Sequence, residues 1–524
     1  MIIPVAQVGA VGVITDLPPN ELPLNAWTSA RNVRFINGAV EKFTGHAESY
    51  ASPNIAPYWL LYTTYGLNLY WLYAGLTAVG ATDGSSHANI TRAAGPYTTD
   101  LDIGWTGTVI EDQVVINNGV EVPQMWTPGL ANDLIALTAW PATYTARTMR
   151  SLKRYLVALD ITKVATRYPT MVKWSHQAPS GAVPASWDEA DATIDAGEYS
   201  LSADGGYLID GVSLRDDLIL YKESQTWHMQ YVGGIDIFRF TKRFSEFGML
   251  TRKCALEFFS GKQVVFTGDD IVLHDGQQAE SLIARRRLAS ITNTIDPTYY
   301  LRSFIALNHP KKEIWICFPE TGSSLCTRAL VWNWKENVWG DRDLPNASFI
   351  TAGIVDPVDT GETWAGTGTW DTDSVKWGDK IYDPSQRKML IADATNSKLF
   401  MPDTTSQFNA VNMTATLERV ALGFPLKAGA PPDYTTEKLV RGVWPRIRGT
   451  AGGVVYIYVG TQERVDGTVT YDTAYPFIIG TSEYVDCLLT SKLHAIKFES
   501  TSNIDWILDG YDVDVVPAGQ HGNR

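Results

Sequence analysis

The stretch from residue 214 to residue 276 decides the fold. It contains RDDLILYKESQTWHMQYVGG (215–234) and GKQVVFTGDDIVLHDG (261–276). In each half a short apolar run is followed by a polar turn, at 222–225 or 267–270, and then by a second run that ends near an aromatic residue or a histidine and a glycine. Two strand-forming runs around such a turn predict a β-hairpin, because the turn residues tolerate the positive φ that folding back requires.

The same pattern recurs along most of the chain. The first apolar residue of each of its eight copies is Leu69, Val114, Tyr155, Leu218, Val264, Ile314, Phe349 or Met389. Consecutive copies are separated by 45, 41, 63, 46, 50, 35 and 40 residues. Steps of about 40–50 residues, each with room for three or four strands, are typical of propeller blades. The sequence therefore predicts an all-β protein with a β-propeller of six to eight blades over residues 51–404.

The remaining segments predict a second domain and two specialised regions. Residues 405–516 hold six or seven apolar runs spaced about 10–15 residues apart, which is typical of a β-sandwich, and 517–524 are expected to be a flexible tail. Residues 1–50 combine a proline-rich extended segment with NVRFINGAVEKF (32–43), an Asn-Gly hairpin that is a candidate to close the propeller ring. The Ala-, Pro- and Asp-rich segment 175–207 predicts an excursion from one blade.

Composition and charge narrow the function. The chain has 43 Lys and Arg against 57 Asp and Glu, a net charge of −14. Because phosphate binding draws on Lys and Arg, this balance argues against nucleic-acid binding by the whole surface and leaves room only for a local basic patch. The four cysteines lack the close pairs of zinc sites and are expected to be free buried thiols. No basic residue precedes Arg31, so no secretory signal is predicted and synthesis in a cytoplasm is expected.

No catalytic motif is found. The sequence lacks Gly-x-Ser-x-Gly, His-Glu-x-x-His and the phosphate-binding P-loop, and its eight histidines are scattered. We therefore predict no catalytic, cofactor or metal site, and we interpret the acidic pairs in turns, such as Asp269 and Asp270, as solvated carboxylates rather than calcium ligands.

Two local patterns qualify this conclusion. The turn containing Asp359, Gly361 and Trp364 resembles the structural Asp-box of sialidase-like propellers, so a carbohydrate-processing enzyme remains an alternative. Such an enzyme would need Arg446, Arg448 and Tyr434 to converge. The segment 280–295 is predicted to be a helix that carries Arg285, Arg286 and Arg287. These arginines either lie on a solvated face or contact phosphate or a neighbouring subunit.

Several longer segments resemble one protein family. They are GVITDLPPNELPLNAWTSARNVRFINGAVEKFTGH (12–46), VVINNGVEVPQMW (114–126), RDDLILYKESQTWHM (215–229), GDDIVLHDG (268–276), EIWICFP (313–319) and ALVWNWKENVW (329–339). Together they resemble the hub or nozzle proteins of short-tailed bacteriophages, also called tail tubular protein B. The resemblance covers most of the chain and rests on turns and aromatic residues, without catalytic residues.

This resemblance implies a structural virion protein without a cofactor. Such a subunit would form a ring, a hexamer in that family, at the distal end of the DNA-ejection channel, below an adaptor ring and bearing fibres or a plug or needle. An acidic lumen would fit this role, since carboxylates repel the DNA backbone and let it slide. The alternatives are the sialidase-like enzyme and a protein-binding propeller.

Overall fold

A computed structural model describes residues 1–234, 236–259, 261–283, 294–355, 387–427 and 429–518. Within these ranges the regular structure consists of β-strands and two short 3-10 turns, Pro19–Glu21 and Tyr300–Arg302. The chain begins with five strands that serve two different domains. They are β1 (Ile2–Ala6), β2 (Ser29–Arg31), β3 (Val33–Ile36), β4 (Ala39–Lys42) and β5 (His46–Glu48).

A β-propeller follows. In the described residues, six consecutive sheets of four antiparallel strands make blades 1 to 6. Blade 1 has β6 (Trp59–Tyr65), β7 (Asn68–Ala74), β8 (Val79–Thr82) and β9 (His87–Asn89). Blade 2 has β10 (Thr106–Ile110), β11 (Gln113–Asn117), β12 (Gln124–Trp126) and β13 (Ile135–Ala136). Blade 3 has β14 (Tyr144–Leu152), β15 (Tyr155–Lys163), β16 (Thr166–Trp174) and β17 (Gly197–Ser200).

Blades 4 to 7 continue the order. Blade 4 has β18 (Leu208–Leu214), β19 (Asp217–Lys222), β20 (Thr226–Tyr231) and β21 (Phe238–Phe244). Blade 5 has β22 (Ala255–Phe259), β23 (Lys262–Phe266), β24 (Ile271–His274) and β25 (Ala279–Ser281). Blade 6 has β26 (Phe304–Asn308), β27 (Glu313–Phe318), β28 (Cys326–Asn333) and β29 (Val338–Ala347). Blade 7 has β30 (Phe349–Gly353), β31 (Lys388–Asp393) and β32 (Lys398–Pro402), with β5 as its fourth strand and β33 (Gln407–Phe408) and β34 (Val411–Asn412) beyond it.

The second strand of each blade explains the repeat seen in the sequence. Strands β11, β15 and β27 are almost wholly buried, because neighbouring blades cover both of their faces. A strand covered on both faces is a continuous apolar run instead of an alternating one. The outermost strands β13 and β25 are exposed, so they left little trace in the hydrophobic pattern.

The prediction of a propeller is confirmed, and the described residues form seven blades. The sequence markers Phe349 and Met389 had been separated as two steps, but they lie in β30 and β31 of the same sheet and are three residues out of direct register. Blade 7 is long because the connection 354–387 lies between its first two strands. The long step before Leu218 reflects the predicted excursion, whose last part forms β17 at the edge of blade 3.

The ring is closed by a strand from the N-terminal region. Strand β5 pairs antiparallel with β32, with Ala47 opposite Met401. The Asn-Gly hairpin was the predicted closing element. It forms as β3 and β4, but β4 pairs with the last strand of the chain instead. The hairpin therefore belongs to the other domain, and the closing role falls to the short strand that follows it.

That other domain is a β-sandwich built from both ends of the chain. Its C-terminal strands are β35 (Ala415–Leu422), β36 (Lys438–Gly449), β37 (Val454–Gln462), β38 (Thr470–Tyr471), β39 (Tyr475–Ile478), β40 (Val485–Ser491), β41 (Leu493–Ser500) and β42 (Trp506–Pro517). In the described residues one sheet has the order β3-β4-β42-β36-β40 with β1 also on β42, and the other has β2-β35-β41-β37-β38 with β39 on β37. A shared core that includes Trp27, Phe498 and Trp506 lies between them.

Two further expectations concern segments that the structure describes only in part. The predicted helix 280–295 begins in strand β25, while 284–293 lie outside the described residues. Of the expected tail, Pro517 ends β42 and 519–524 are outside the described part. The described residues contain no helix with the length and apolar character that a membrane crossing needs.

Candidate functional site

The residues named as sites from the sequence lie outside the described residues. This holds for Arg285, Arg286 and Arg287 and for the Asp-box-like turn of Asp359, Gly361 and Trp364. Those assignments stay predictions.

The three residues that a sialidase would need each have a separate local partner. Arg446 pairs with Asp512 at 2.7 Å, and Arg448 pairs with Asp509 at 2.9 Å. The Tyr434 hydroxyl donates to the carbonyl of residue 20 at 2.6 Å. These contacts secure strands and a loop of the sandwich domain, so they give no support to a shared substrate-carboxylate site.

The acidic turns are likewise engaged locally. Asp275 accepts hydrogen bonds from the backbone N–H groups of Gln277 and Gln278, both at 2.8 Å. Asp269 accepts a hydrogen bond from the Thr267 hydroxyl at 2.5 Å, and Asp270 accepts one from the Ser281 hydroxyl at 2.8 Å. Within the described ranges no cluster of three His, Cys, Asp or Glu side chains is placed to hold a metal ion.

The centre of the propeller holds a channel. The innermost strands of all seven blades line a cavity of about 450 Å³. The blades approach closely around it: a Cβ atom on Gly107 in β10 would lie only 2.5 Å from the Trp59 ring in β6. Glycine is therefore needed where blades 1 and 2 meet.

One mouth of this channel is organised around a buried carboxylate. Asp210 in β18 is fully buried, and it receives both Nε and Nη2 of Arg150 at 2.8 and 2.7 Å. The backbone N–H groups of Gly211 and Lys253 also donate to it, at 2.8 and 3.1 Å. Four donors occupy the acceptor sites of one carboxylate, so Asp210 has no remaining capacity to bind a further cation. Arg150 in turn donates to the carbonyl of Gly107 at 3.0 Å and ties three blades together.

Additional cations gather at the same mouth. Arg252 and Lys253 lie just before the inner strand β22, separated from it by Cys254, and Arg147 lies on the inner strand β14. Arg252 donates one hydrogen bond, to the carbonyl of Arg147 at 3.0 Å. The Nζ of Lys253 lies 4.9 Å from the centre of the Phe349 ring. Arg302 also lines this mouth, but it pairs with Asp102 at 2.9 Å.

The crowding of these cations changes their acidity. Burial, followed by the nearby Arg252 and Arg150, lowers the pKa of Lys253 to about 7 although Asp210 opposes the shift. Burial also lowers the pKa of Arg252 to about 10, with Arg147 and Arg150 adding to the effect. A cation whose pKa falls in this way is in an environment that disfavours its charge.

The described thiols are not activated. All four cysteines are free and buried, as the sequence predicted. Burial raises the pKa of Cys254 and Cys317 well above the usual range, and a buried neutral thiol is a poor nucleophile.

A second buried ionic cluster joins the two domains. Arg34 in β3 of the sandwich reaches into the propeller, where its guanidinium lies 2.9 Å from a carboxylate oxygen of Glu313 and 2.9 Å from one of Asp403. Thr44 and Asn308 also donate to Asp403, at 2.6 and 2.9 Å. We call Arg34, Glu313 and Asp403 the interdomain cluster.

The interdomain cluster is enclosed by aromatic rings. The Arg34 guanidinium lies 4.5 Å from the centre of the Phe43 ring, and Arg342 lies 4.5 Å from that of Trp315. The attraction of Arg34 and Arg342 lowers the pKa of Asp403 well below its usual range against the effect of burial. The charge of Arg34 is neutralised by the carboxylates of Glu313 and Asp403 within the contact. These ion pairs and hydrogen bonds hold the hairpin β3–β4 to the propeller.

Sequence reasoning missed both clusters. Arg34 alternates with apolar residues in β3 and has the pattern of an exposed position, whereas its side chain is 1% exposed. The pair Arg252–Lys253 stands at the start of an apolar run, which is the usual place of a solvated turn. The only available signal was the presence of two adjacent cations near the start of an inner strand. The hairpin repeat does not show which strand of a blade is the innermost one, so this signal could not be recognised.

Comparisons with known proteins add little beyond the fold. No protein-family model matches the chain, and the search of curated proteins found no match. Among solved structures, "YCF48 bound to D1 peptide" is 9% identical over 68% of this chain and 94% of that one, with a TM-score of 0.39. The "WD40 beta propeller domain of Doa1" is 9% identical over 69% of this chain and 98% of the other, with a TM-score of 0.36.

Proposed function

We propose that this chain is a structural subunit of a short-tailed phage tail, in which copies form a hub or nozzle ring around the distal DNA-ejection channel. The ring has six copies if the resemblance to tail tubular protein B extends to assembly. It lies below an adaptor ring, carries fibres or a plug or needle, and meets the host envelope through them. The role is mechanical, and the chain is not an enzyme.

The observation that carries this proposal is the interlocking of the two domains. The N-terminal amine donates to the carbonyl of Val515 at 2.7 Å, β1 and β4 pair with β42, and β5 then enters blade 7. The interdomain cluster adds a buried ionic contact between the same two bodies. A subunit built in this way resists separation of its domains, as a conduit under load requires.

The propeller channel is too small for DNA, so in this proposal DNA passes between the copies of the ring. Its volume of about 450 Å³ lies in the range of small-molecule pockets, about 300–1,000 Å³, which a DNA duplex cannot thread. In this proposal DNA passes through the lumen of the ring without tight binding, and the acidic balance of the chain limits adhesion to phosphate.

Native mass spectrometry of the recombinant chain at micromolar concentration tests the assembly. A closed ring, seen also by negative-stain imaging, supports the proposal. A monomer of 57.9 kDa as the sole species, both alone and mixed with the adaptor and fibre proteins of a short-tailed phage, contradicts it.

The predicted subunit contact can be tested separately. Replacing Arg285, Arg286 and Arg287 by Glu is expected to weaken assembly. The unfolding temperature of the monomer is expected to change little. A matched control reverses three cations on the exposed outer strand β21, namely Arg239, Lys242 and Arg243. Unchanged assembly in the first variant removes this segment from the proposed interface.

The non-enzymatic assignment has its own test. Assay of the full chain against a panel of sialosides should show no turnover. Hydrolysis that disappears in Tyr434→Phe, a residue now seen to secure a loop, would replace the structural proposal with the carbohydrate-processing alternative.

A further inference from the structure

The mouth of the propeller channel concentrates positive charge in an otherwise acidic chain. Arg147, Arg252 and Lys253 all line cavities there, and no carboxylate among the described residues forms an ion pair with any of the three. The nearest buried acid, Asp210, is already saturated by Arg150 and two backbone N–H groups. Within the described part of the chain none of the three cations therefore has an ion-pair partner, although Asp210 and Asp160 lie close enough to favour the charge of Arg252.

Such an arrangement is costly unless something neutralises it. Cations removed from water lose hydration, and like charges repel strongly where the local dielectric is low. Elsewhere in the described residues buried cations have compensating contacts: Arg34 has carboxylates beside it, and the Nζ atoms of Lys42 and Lys438 donate to backbone carbonyls. At the channel mouth no hydrogen bond or ion pair to a described residue engages the Nζ of Lys253, which faces the Phe349 ring.

The cavities beside these cations have the dimensions of small groups. Arg252 and Lys253 line an enclosed space of about 40 Å³, which exceeds the minimum of about 10–15 Å³ for one water molecule. Arg252 and Arg147 line a wider space of about 210 Å³, whose walls also carry Arg167 and the carboxylates of Asp102, Asp160 and Glu223. Lys253 also faces the channel.

The donors are suited to oxygen anions. Arg147 and Arg252 present planar guanidinium groups, which bind carboxylate or phosphate oxygens through paired N–H donors, whereas Lys253 supplies a compact point charge. Of the donors on Arg252, one Nη1 contact to a carbonyl is the only hydrogen bond to described residues. The remaining N–H groups are available to a ligand.

We propose that this mouth is a binding site for an oxyanionic group, a carboxylate or a phosphate, held by Arg147, Arg252 and Lys253. Arg150 and Asp210 position the site by fixing blades 2, 3 and 4 against one another and by orienting the backbone of Lys253. The site is independent of the tail proposal, because it requires only the single chain.

Isothermal titration calorimetry of the full chain tests this inference, with inorganic phosphate and glutarate as separate probes at constant ionic strength and pH 6.5. The wild type is expected to bind one of these probes saturably, and the tighter probe identifies the anion class. Lys253→Gln and, at the more exposed rim, Arg147→Gln are each expected to weaken binding at least tenfold. Circular dichroism checks that the variants are folded.

Arg448→Gln is the matched control, since it removes an arginine paired with Asp509 in the sandwich and should bind as the wild type does. The inference is overturned if neither probe binds saturably to the wild type. It is equally overturned if binding persists unchanged in both the Lys253 and Arg147 variants, because the anion would then lie elsewhere.

Discussion

Removal of the Arg34 charge should destabilise the whole molecule. In the variant Arg34→Met the side chain keeps its length, but Glu313 and Asp403 lose their nearest cation. The side chains of Arg34 and Glu313 are 1% and 2% exposed, so water cannot replace the lost partner. Breaking a buried ion pair by removing one member costs about 3–5 kcal/mol.

The remaining contacts place the expected loss near the lower end of that range. Glu313 keeps a hydrogen bond from Trp315 at 3.1 Å, and Asp403 keeps those from Thr44 and Asn308. Arg342 stays 3.8 Å from Asp403. We therefore expect the free energy of unfolding to fall by about 3 kcal/mol.

Equilibrium urea unfolding followed by tryptophan fluorescence measures this change. Since the cluster joins the domains, calorimetry of Arg34→Met should also show separated transitions for the propeller and the sandwich. The double variant Arg34→Met, Glu313→Gln should recover part of the loss, because the uncompensated carboxylate is gone.

Arg446→Met serves as control, since Arg446 lies in the same sheet as Arg34 but its side chain is 45% exposed in its pair with Asp512. It should cost less than about 1 kcal/mol. A loss for Arg34→Met no larger than for this control would refute the interpretation of the cluster as a stabilising contact between domains.

Three further predictions follow from other parts of the propeller. Gly107→Ala should lower the free energy of unfolding by about 1–3 kcal/mol, because its methyl group would overlap Trp59; an unchanged urea midpoint would contradict this. Burial, followed by the nearby Arg342, lowers the pKa of His46 to about 3, so the unfolded chain binds more protons than the native one from pH 6.5 down to 3. The free energy of unfolding should therefore decrease as the pH is lowered through that window. The decrease between pH 7 and 5.5, measured by urea unfolding, should be smaller in His46→Gln. Binding of glutarate, whose own charge is constant over this range, should weaken from pH 6.5 to 8.5 as Lys253 loses its proton, and calorimetry showing equal affinity at both pH values would remove Lys253 from the site.

The propeller could be recognised from the sequence because its second strands are covered on both faces. This burial demands continuous apolar runs such as the one around Val264, and the turns between them demand polar residues and glycine. Both are local requirements, so they are visible in a linear chain. The division of blade 7 into two steps was wrong for the same reason: β30 and β31 are each apolar, and nothing local indicates that they pair across the connection 354–387.

The pairing of distant segments could not be derived in this way. The N-terminal hairpin carries a strong turn signal, yet its partner β42 lies at the other end of the chain, and hydrogen bonds between backbones carry little sequence information. The closing strand β5 has only three residues. Which of two adjacent short strands completes the ring depends on the position of the sandwich, which is a property of the folded molecule.

Local hydrophobic pattern alone thus specified an all-β chain of repeated hairpins and a separate C-terminal set of strands. The tertiary structure decided how those strands close, and it decided which charged side chains become buried. Arg34 and Lys253 resemble ordinary surface cations in the sequence, because the energetic cost of a charge depends on the dielectric and the partners around it. Those surroundings exist only after residues far apart in the chain have been brought together.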